Sequence, residues 1–279
     1  MPEARLSTVG KFEDIQDGTF HFLKKSAVPV YTIKICGDYF ASPKWGDGLR
    51  RGARVEAKLE PLFTGEEVAA LSVEEIKARV TDRLYYDEFK WLEERPNVRY
   101  KKKTLAEGLE NILSRCPKCN AKYSIITKRH TVSCEACKGA WTIDDRYAFV
   151  GGEPFKNFCE WYEWQTEKMK EEISVSEDYA LTSPVTLCMR SLDGKTMLRT
   201  VGRGVATLNR DGLTYVGKVD DRDLTLSFKM QDIYRLLFGA GENFEIYVGQ
   251  EIYYFKPDER RSSVDWYIVS TILRDRYEQ

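Results

Sequence analysis

Residues 116–139 read CPKCNAKYSIITKRHTVSCEACKG. Cys116 and Cys119 form one C-x2-C pair, Cys134 and Cys137 form another, and fourteen residues lie between the pairs. Two residues between cysteines allow a tight knuckle whose backbone N–H groups face both sulfurs. Two such knuckles close a tetrahedral four-thiolate site, the arrangement that structural zinc prefers. Between them, 123–127 and 131–134 read as the strands of a hairpin. Asn120 and Gly139 follow the knuckles, where a left-handed backbone is often needed. A redox dithiol would place its C-x-x-C at the start of a helix, and two pairs bracketing a hairpin fit that poorly. Four thiolates leave no open coordination position, so the expected zinc is structural and not catalytic. His130 lies inside the hairpin and reads as a surface residue, not a ligand.

The remaining composition is consistent with an intracellular thiolate site. The chain has 279 residues, seven cysteines and a net charge of −1. An odd cysteine count without a leading apolar segment favours metal thiolates over disulfides, with a cytoplasmic location as the default. Cys36, Cys159 and Cys188 stand alone and read as small buried hydrophobes. The near-zero charge gives no global pull toward nucleic acid, so nucleic acid is not an expected partner and any basic patch must be local. No run approaches the roughly 18 apolar residues of a membrane span.

Upstream of the cysteines, residues 1–112 read as part of an α/β domain. Residues 17–26 suggest a short helix. Residues 28–36 (VPVYTIKIC) suggest a buried strand, and 53–63 (ARVEAKLEPLF) a second strand with Val55, Ala57 and Leu59 on one face. Ser72 and Glu75 form a capping box. It predicts one long helix to about Glu94, with Ile76, Val80, Leu84 and Phe89 in its stripe and Pro96 as its stop. Two strands are too few for a whole sheet. Residues 95–103 (RPNVRYKKK) carry five bases and no acid. They read as a solvated linker, with a patch for lipid headgroups or phosphates as the alternative. Thr104 and Glu107 predict a short capped helix leading into the cysteines.

Downstream of the ribbon (113–150), residues 155–173 within a linker spanning 151–180 read as an aromatic helix. Phe158, Trp161, Tyr162 and Gln165 share one side. Docking between the ribbon and a neighbouring domain fits this short face better than an interfacial membrane helix. Residues 181–279 are β-rich, with a hairpin signal at Asn209–Gly212 and strands expected at 202–208, 213–217, 224–228, 233–238, 244–248 and 252–255. A helix follows from about Ser263 to Tyr277, with Val264, Ile268 and Ile272 at helical spacing. Several antiparallel strands and one terminal helix is the order of a pleckstrin-homology-like barrel.

The opening PEARLS, followed by a short helix and VPVYTIKI, resembles the second half of the glycerophospholipid acyltransferase domain, the 1-acylglycerol-3-phosphate acyltransferase family. Pro2, Glu3 and Arg5 match the family's loop for the acceptor phosphate, with Ala4 in place of the usual glycine, and Val28-Pro29-Val30 match its following strand. The ribbon and β-rich tail resemble one bacterial branch. The resemblance implies Glu3 and Arg5 as substrate-binding residues, side by side at a sheet edge facing an open groove. It further implies an acyl-CoA or acyl-carrier-protein donor, a lysophospholipid acceptor, and a peripheral place at the inner membrane face. The family's His-x4-Asp motif supplies the general base. Here His21 is followed five positions later by Ser26, and His130 by Glu135, so no catalytic residue is assigned. Met1 is accordingly expected to fall inside a domain, and the chain to be inactive by itself. The alternative is a non-enzymatic zinc-ribbon and barrel module for binding or scaffolding.

Overall fold

The structure is a computed structural model and describes residues 3, 5–190, 198–233, 235–249 and 251–277. Two compact units divide the chain: Met1–Leu105 with Asp144–Ala148, and Ala106–Ile143 with Phe149–Gln279. The ribbon, the aromatic helix and the β-rich tail thus belong to one unit.

In the first unit, α1 (Asp17–Ser26) leads into β1 (Val30–Cys36) and the short α2 (Asp38–Ala41). β2 (Glu56–Phe63) and α3 (Gly65–Ala70) follow, then α4 (Val73–Leu84) and α5 (Glu88–Glu93). Ile15, Phe20, Phe63, Val68, Ile76 and Val80 form its core. The Ser72–Glu75 capping box starts α4 as its sequence dictates. The single helix expected to reach Glu94 is instead two. Tyr86 accepts a hydrogen bond from the Phe12 N–H, Lys11 bridges to Asp87, and the Asp87 carboxylate caps α5 by accepting from the N–H groups of Phe89 and Lys90. A competing N-cap and a strand-like bridge therefore interrupt the periodic stripe.

β1 and β2 pair antiparallel with Ile33 opposite Leu59, forming a two-stranded sheet. The expectation of a buried strand is corrected: only Thr32 of β1 is buried, while Tyr31 is 63%, Ile33 60% and Leu59 65% exposed. One face of the ribbon packs on α4. The other, made of Tyr31, Ile33, Ile35, Ala57, Leu59 and Pro61, is apolar and open. The basic stretch is no solvated linker either. Val98 and Tyr100 are buried, Arg95 pairs with Glu56, Arg99 with Asp145 and Lys102 with Asp47. Neutralisation by acids from elsewhere in the sequence removes most of its positive field.

The second unit opens with turns and a 3-10 segment, Leu109–Asn111, where a capped helix was expected. β3 (Ile125–Lys128), β4 (Thr131–Cys134) and β5 (Ala140–Thr142) form a three-stranded antiparallel sheet. After α6 (Phe158–Val175) come β6 (Leu181–Arg190), β7 (Leu198–Asn209), β8 (Gly212–Val219) and β9 (Arg222–Lys229). β10 (Leu237–Gly239), β11 (Asn243–Val248), β12 (Glu251–Pro257) and α7 (Ser263–Tyr277) complete it. The seven strands form one antiparallel sheet in the order β10-β11-β12-β6-β7-β8-β9, so β6 joins the two groups. Asn209 turns the β7–β8 hairpin by accepting from the N–H groups of Asp211 and Gly212. The run 233–238, expected as a strand, yields only the start of the three-residue β10; Tyr234 lies outside the described residues. α7 covers the sheet, with Trp266 stacked on Phe244 at 4.0 Å. No helix among the described residues is long and apolar enough to cross a membrane.

Candidate metal centre

Four sulfurs converge where the sequence places two knuckles. The Sγ atoms of Cys116, Cys119, Cys134 and Cys137 all lie within 4.8 Å of one another, with Cys116–Cys137 and Cys119–Cys134 each at 3.7 Å. Thiolates held about 2.3 Å from a tetrahedral metal stand about 3.8 Å apart, so the spacing fits a zinc-sized ion. The donor set is all sulfur, which suits a borderline-soft metal and leaves no site for a substrate. Among the described residues this cluster contains no histidine.

The two knuckles repeat one backbone design. Asn120 N–H donates to the Cys116 carbonyl, and Lys138 N–H to the Cys134 carbonyl, each at 2.9 Å. Asn120 has φ 61° and Lys138 φ 59°. The left-handed residue of the second knuckle is therefore Lys138, not Gly139 as expected. Gly139 serves space instead: a Cβ there would sit 2.9 Å from the Trp141 ring and 3.4 Å from Cys137 Sγ. Burial pushes the Cys116 thiol up to about 12. Burial also raises Cys134, but the Ser124 hydroxyl at 3.2 Å and the N–H groups of Cys137 and Ala136 outweigh it and bring that thiol down to about 6. Those donors favour a thiolate.

The cluster is seated by polar groups around the first knuckle. Arg115 is buried and grips Glu172 of α6 with two bonds of 2.5 and 2.8 Å. Its carbonyl accepts from Trp161 Nε1 at 2.8 Å. Gln165, in the apolar stripe of α6, accepts from Ser114 N–H and donates to the Ile112 carbonyl. Trp141 meets Trp161 edge to face at 4.9 Å, so the aromatic helix docks on the ribbon. Tyr123 donates to Asp265 of α7 at 2.7 Å, and Arg261 donates to the Ile125 carbonyl. Asp265 is buried, and burial pushes its carboxyl up.

Cys159 and Cys188 are buried as their isolation suggests, whereas Cys36 is only half-buried. Arg5 lies against Glu13, and its side chain is 8% exposed. The Glu13 carboxylate also accepts from Thr8 N–H. Glu3 is half-buried, and its charge adds to the burial that raises the Tyr86 hydroxyl. Pro2 and Ala4 lie outside the described residues. Sequence reasoning missed Arg115, Glu172, Tyr123 and Asp265. Of these only Arg115 carried a signal, by directly preceding a metal knuckle.

Comparisons with protein families, curated proteins and solved structures found no match to this chain.

Proposed function

We propose that residues 1–112 are the C-terminal part of an acyltransferase-like α/β domain, and that the chain serves acyl transfer to lysophosphatidate-like acceptors at a membrane face. A structural zinc holds its ribbon, and the tail is a pleckstrin-homology-like module. The observation that carries the reading is the open apolar face of β1 and β2. Tyr31, Ile33, Ile35, Ala57, Leu59 and Pro61 form one side of a sheet whose other side is already packed on α4. An α/β sheet is covered on both faces, so this one fits a layer awaiting the rest of its domain. The ordered pair PEAR…VPV supplies the family. Arg5, held by Glu13 and 8% exposed, is the guanidinium that would meet the phosphate on this reading, once that pair opens. Acyl-CoA or acyl carrier protein is the donor on this reading.

A glycerol hydroxyl is a weak nucleophile near neutral pH, and general-base help contributes about 10²–10⁴-fold. The chain has no His-x4-Asp. With labelled donor and lysophosphatidate, the 279-residue chain is expected to show no turnover, and a chain extended upstream through an in-frame His-x4-Asp to show it. Turnover by the short chain would overturn the reading.

The second reading, a ribbon and barrel module for binding or scaffolding, draws on the polar ties that make ribbon, α6 and α7 one unit. An extended chain that folds yet transfers no acyl group would favour it.

A further inference from the structure

The seven-stranded sheet ends in two very different edges. β10 is three residues long. β9 is eight residues long and pairs with β8 without a register shift. Arg222–Thr225, Ser227 and Lys229 are exposed, Leu224 to 44%. Natural sheets blunt such edges with brevity, proline, bulges, or charges on the edge or pointing inward. β10 is blunted by its length. β9 has no proline and no bulge; its charges, Arg222, Asp223 and Lys229, stand only at its two ends, and Leu224, Leu226 and Phe228 share the inward parity of Arg222.

Within β9, residues 223–229 (DLTLSFK) complement themselves by residue type when reversed about Leu226. With two copies antiparallel about Leu226, Asp223 opposes Lys229 of the second copy, Leu224 opposes Phe228, Thr225 opposes Ser227, and Leu226 opposes itself. Charge meets opposite charge at both ends, hydroxyl meets hydroxyl, and apolar meets apolar. A slip of one residue sets Asp223 against Phe228, and a slip of two takes Asp223 off Lys229, leaving Lys229 opposite Thr225 or the turn residue Asp221, so the charge pairs between strand residues favour one register. Asp223 already lies opposite Lys218 on β8. The second copy's Lys229 would complete an alternating row of base, acid and base.

We propose that β9 is a homodimerisation edge: it pairs antiparallel with β9 of a second copy of this chain, centred on Leu226, joining two sheets into one. The contact is isologous, as two-fold symmetry requires. An interface this narrow belongs to the weak, concentration-dependent class.

Sedimentation equilibrium of the full chain over a wide concentration range tests it. A monomer–dimer equilibrium is expected. Asp223→Lys opposes like charges twice and should weaken the dimer about tenfold. The swap Asp223→Lys with Lys229→Asp should restore it. Both positions are exposed, and both variants share the same loss of the Asp223–Lys218 pair, so the double swap separates the dimer contact from that loss; amide exchange gives an independent readout: 223–229 should gain protection as the dimer forms. A monomer at every concentration, a dimer without protection at β9, or a double swap that fails to rescue would overturn the proposal. So would a monomer whose β9 is instead protected by an unrelated extended peptide.

Discussion

Glu88 shows how one side chain sets a measurable property of the first unit. It is 0% exposed, one oxygen accepts from Gly37 N–H at 2.6 Å, and the other has no hydrogen-bond partner. Burial raises its carboxyl to about 7, with Asp38 and Asp87 adding to the rise against the Gly37 bond. A carboxyl raised in the folded state binds its proton more tightly there than when unfolded. Its contribution to stability is full below the ordinary carboxylate range and is lost as pH rises through about 7, by at most about 3 kcal/mol. The Glu56 carboxyl runs the other way, held at about 2 by bonds from Arg95 and Trp91, and its effect is confined to acid below the ordinary carboxylate range. Urea unfolding between pH 5 and 8 should therefore show stability of the first unit falling with pH, and Glu88→Gln should flatten that slope. An unchanged slope in the variant would assign it to another group. Nothing in DEFKW marked Glu88 as buried, because its surroundings come from the close approach of Gly10 and the Gly37 N–H bond, which lie far from it in sequence. The four cysteines were legible because metal chemistry fixes residue type and spacing together. Arg5 was expected beside Glu3 at an open groove; it lies instead against Glu13 with its side chain nearly buried, a pairing the sequence does not mark.

Elements were read well where local chemistry is self-sufficient and poorly where a distant segment decides. The capping box of α4, the Asn209 turn and the knuckles are local, and each formed. The break before α5 depends on Lys11 and Phe12, so the stripe from Ile76 to Phe89 read as one helix. Asp87→Ala should cost about 1 kcal/mol through the lost cap, measured by denaturant midpoint; no change would show that the Lys11 bridge alone sets the break. The ribbon's strands are short, and its sheet has only three of them, so its stability should rest on the metal. Protein purified without chelator should carry one zinc, and strong chelation should melt the ribbon first, reporting through Trp141 and Trp161. Absence of stoichiometric zinc, or fluorescence indifferent to chelation, would sink that expectation. The seat around Arg115 could not be read from sequence, since Glu172 looks like one more charge on a solvated helix end.

At the scale of the molecule, the open face of β1 and β2 separates the two functional readings. Periodicity identified these strands correctly, but reading their apolar residues as buried assumed neighbours that the described residues do not supply. Ile33 and Leu59 stand opposite each other on that face and are mostly exposed, so replacing both with lysine removes little buried area from this chain. The double variant of the 279-residue chain should hold its stability within about 0.5 kcal/mol, as surface changes do, and should gain solubility by breaking an apolar patch. Ile76→Ala in the core is the control and should cost about 2–5 kcal/mol. In the chain extended upstream through His-x4-Asp, the acyltransferase-like reading puts another layer on this face. The same two lysines would then be buried without partners and should cost several kcal/mol along with acyl transfer. Thermal unfolding of both chains, each with and without the substitutions, gives the comparison directly. A large penalty in the extended chain alone supports a shared domain. An equally small effect in both would leave the face open in the longer protein too, and the domain reading would fall.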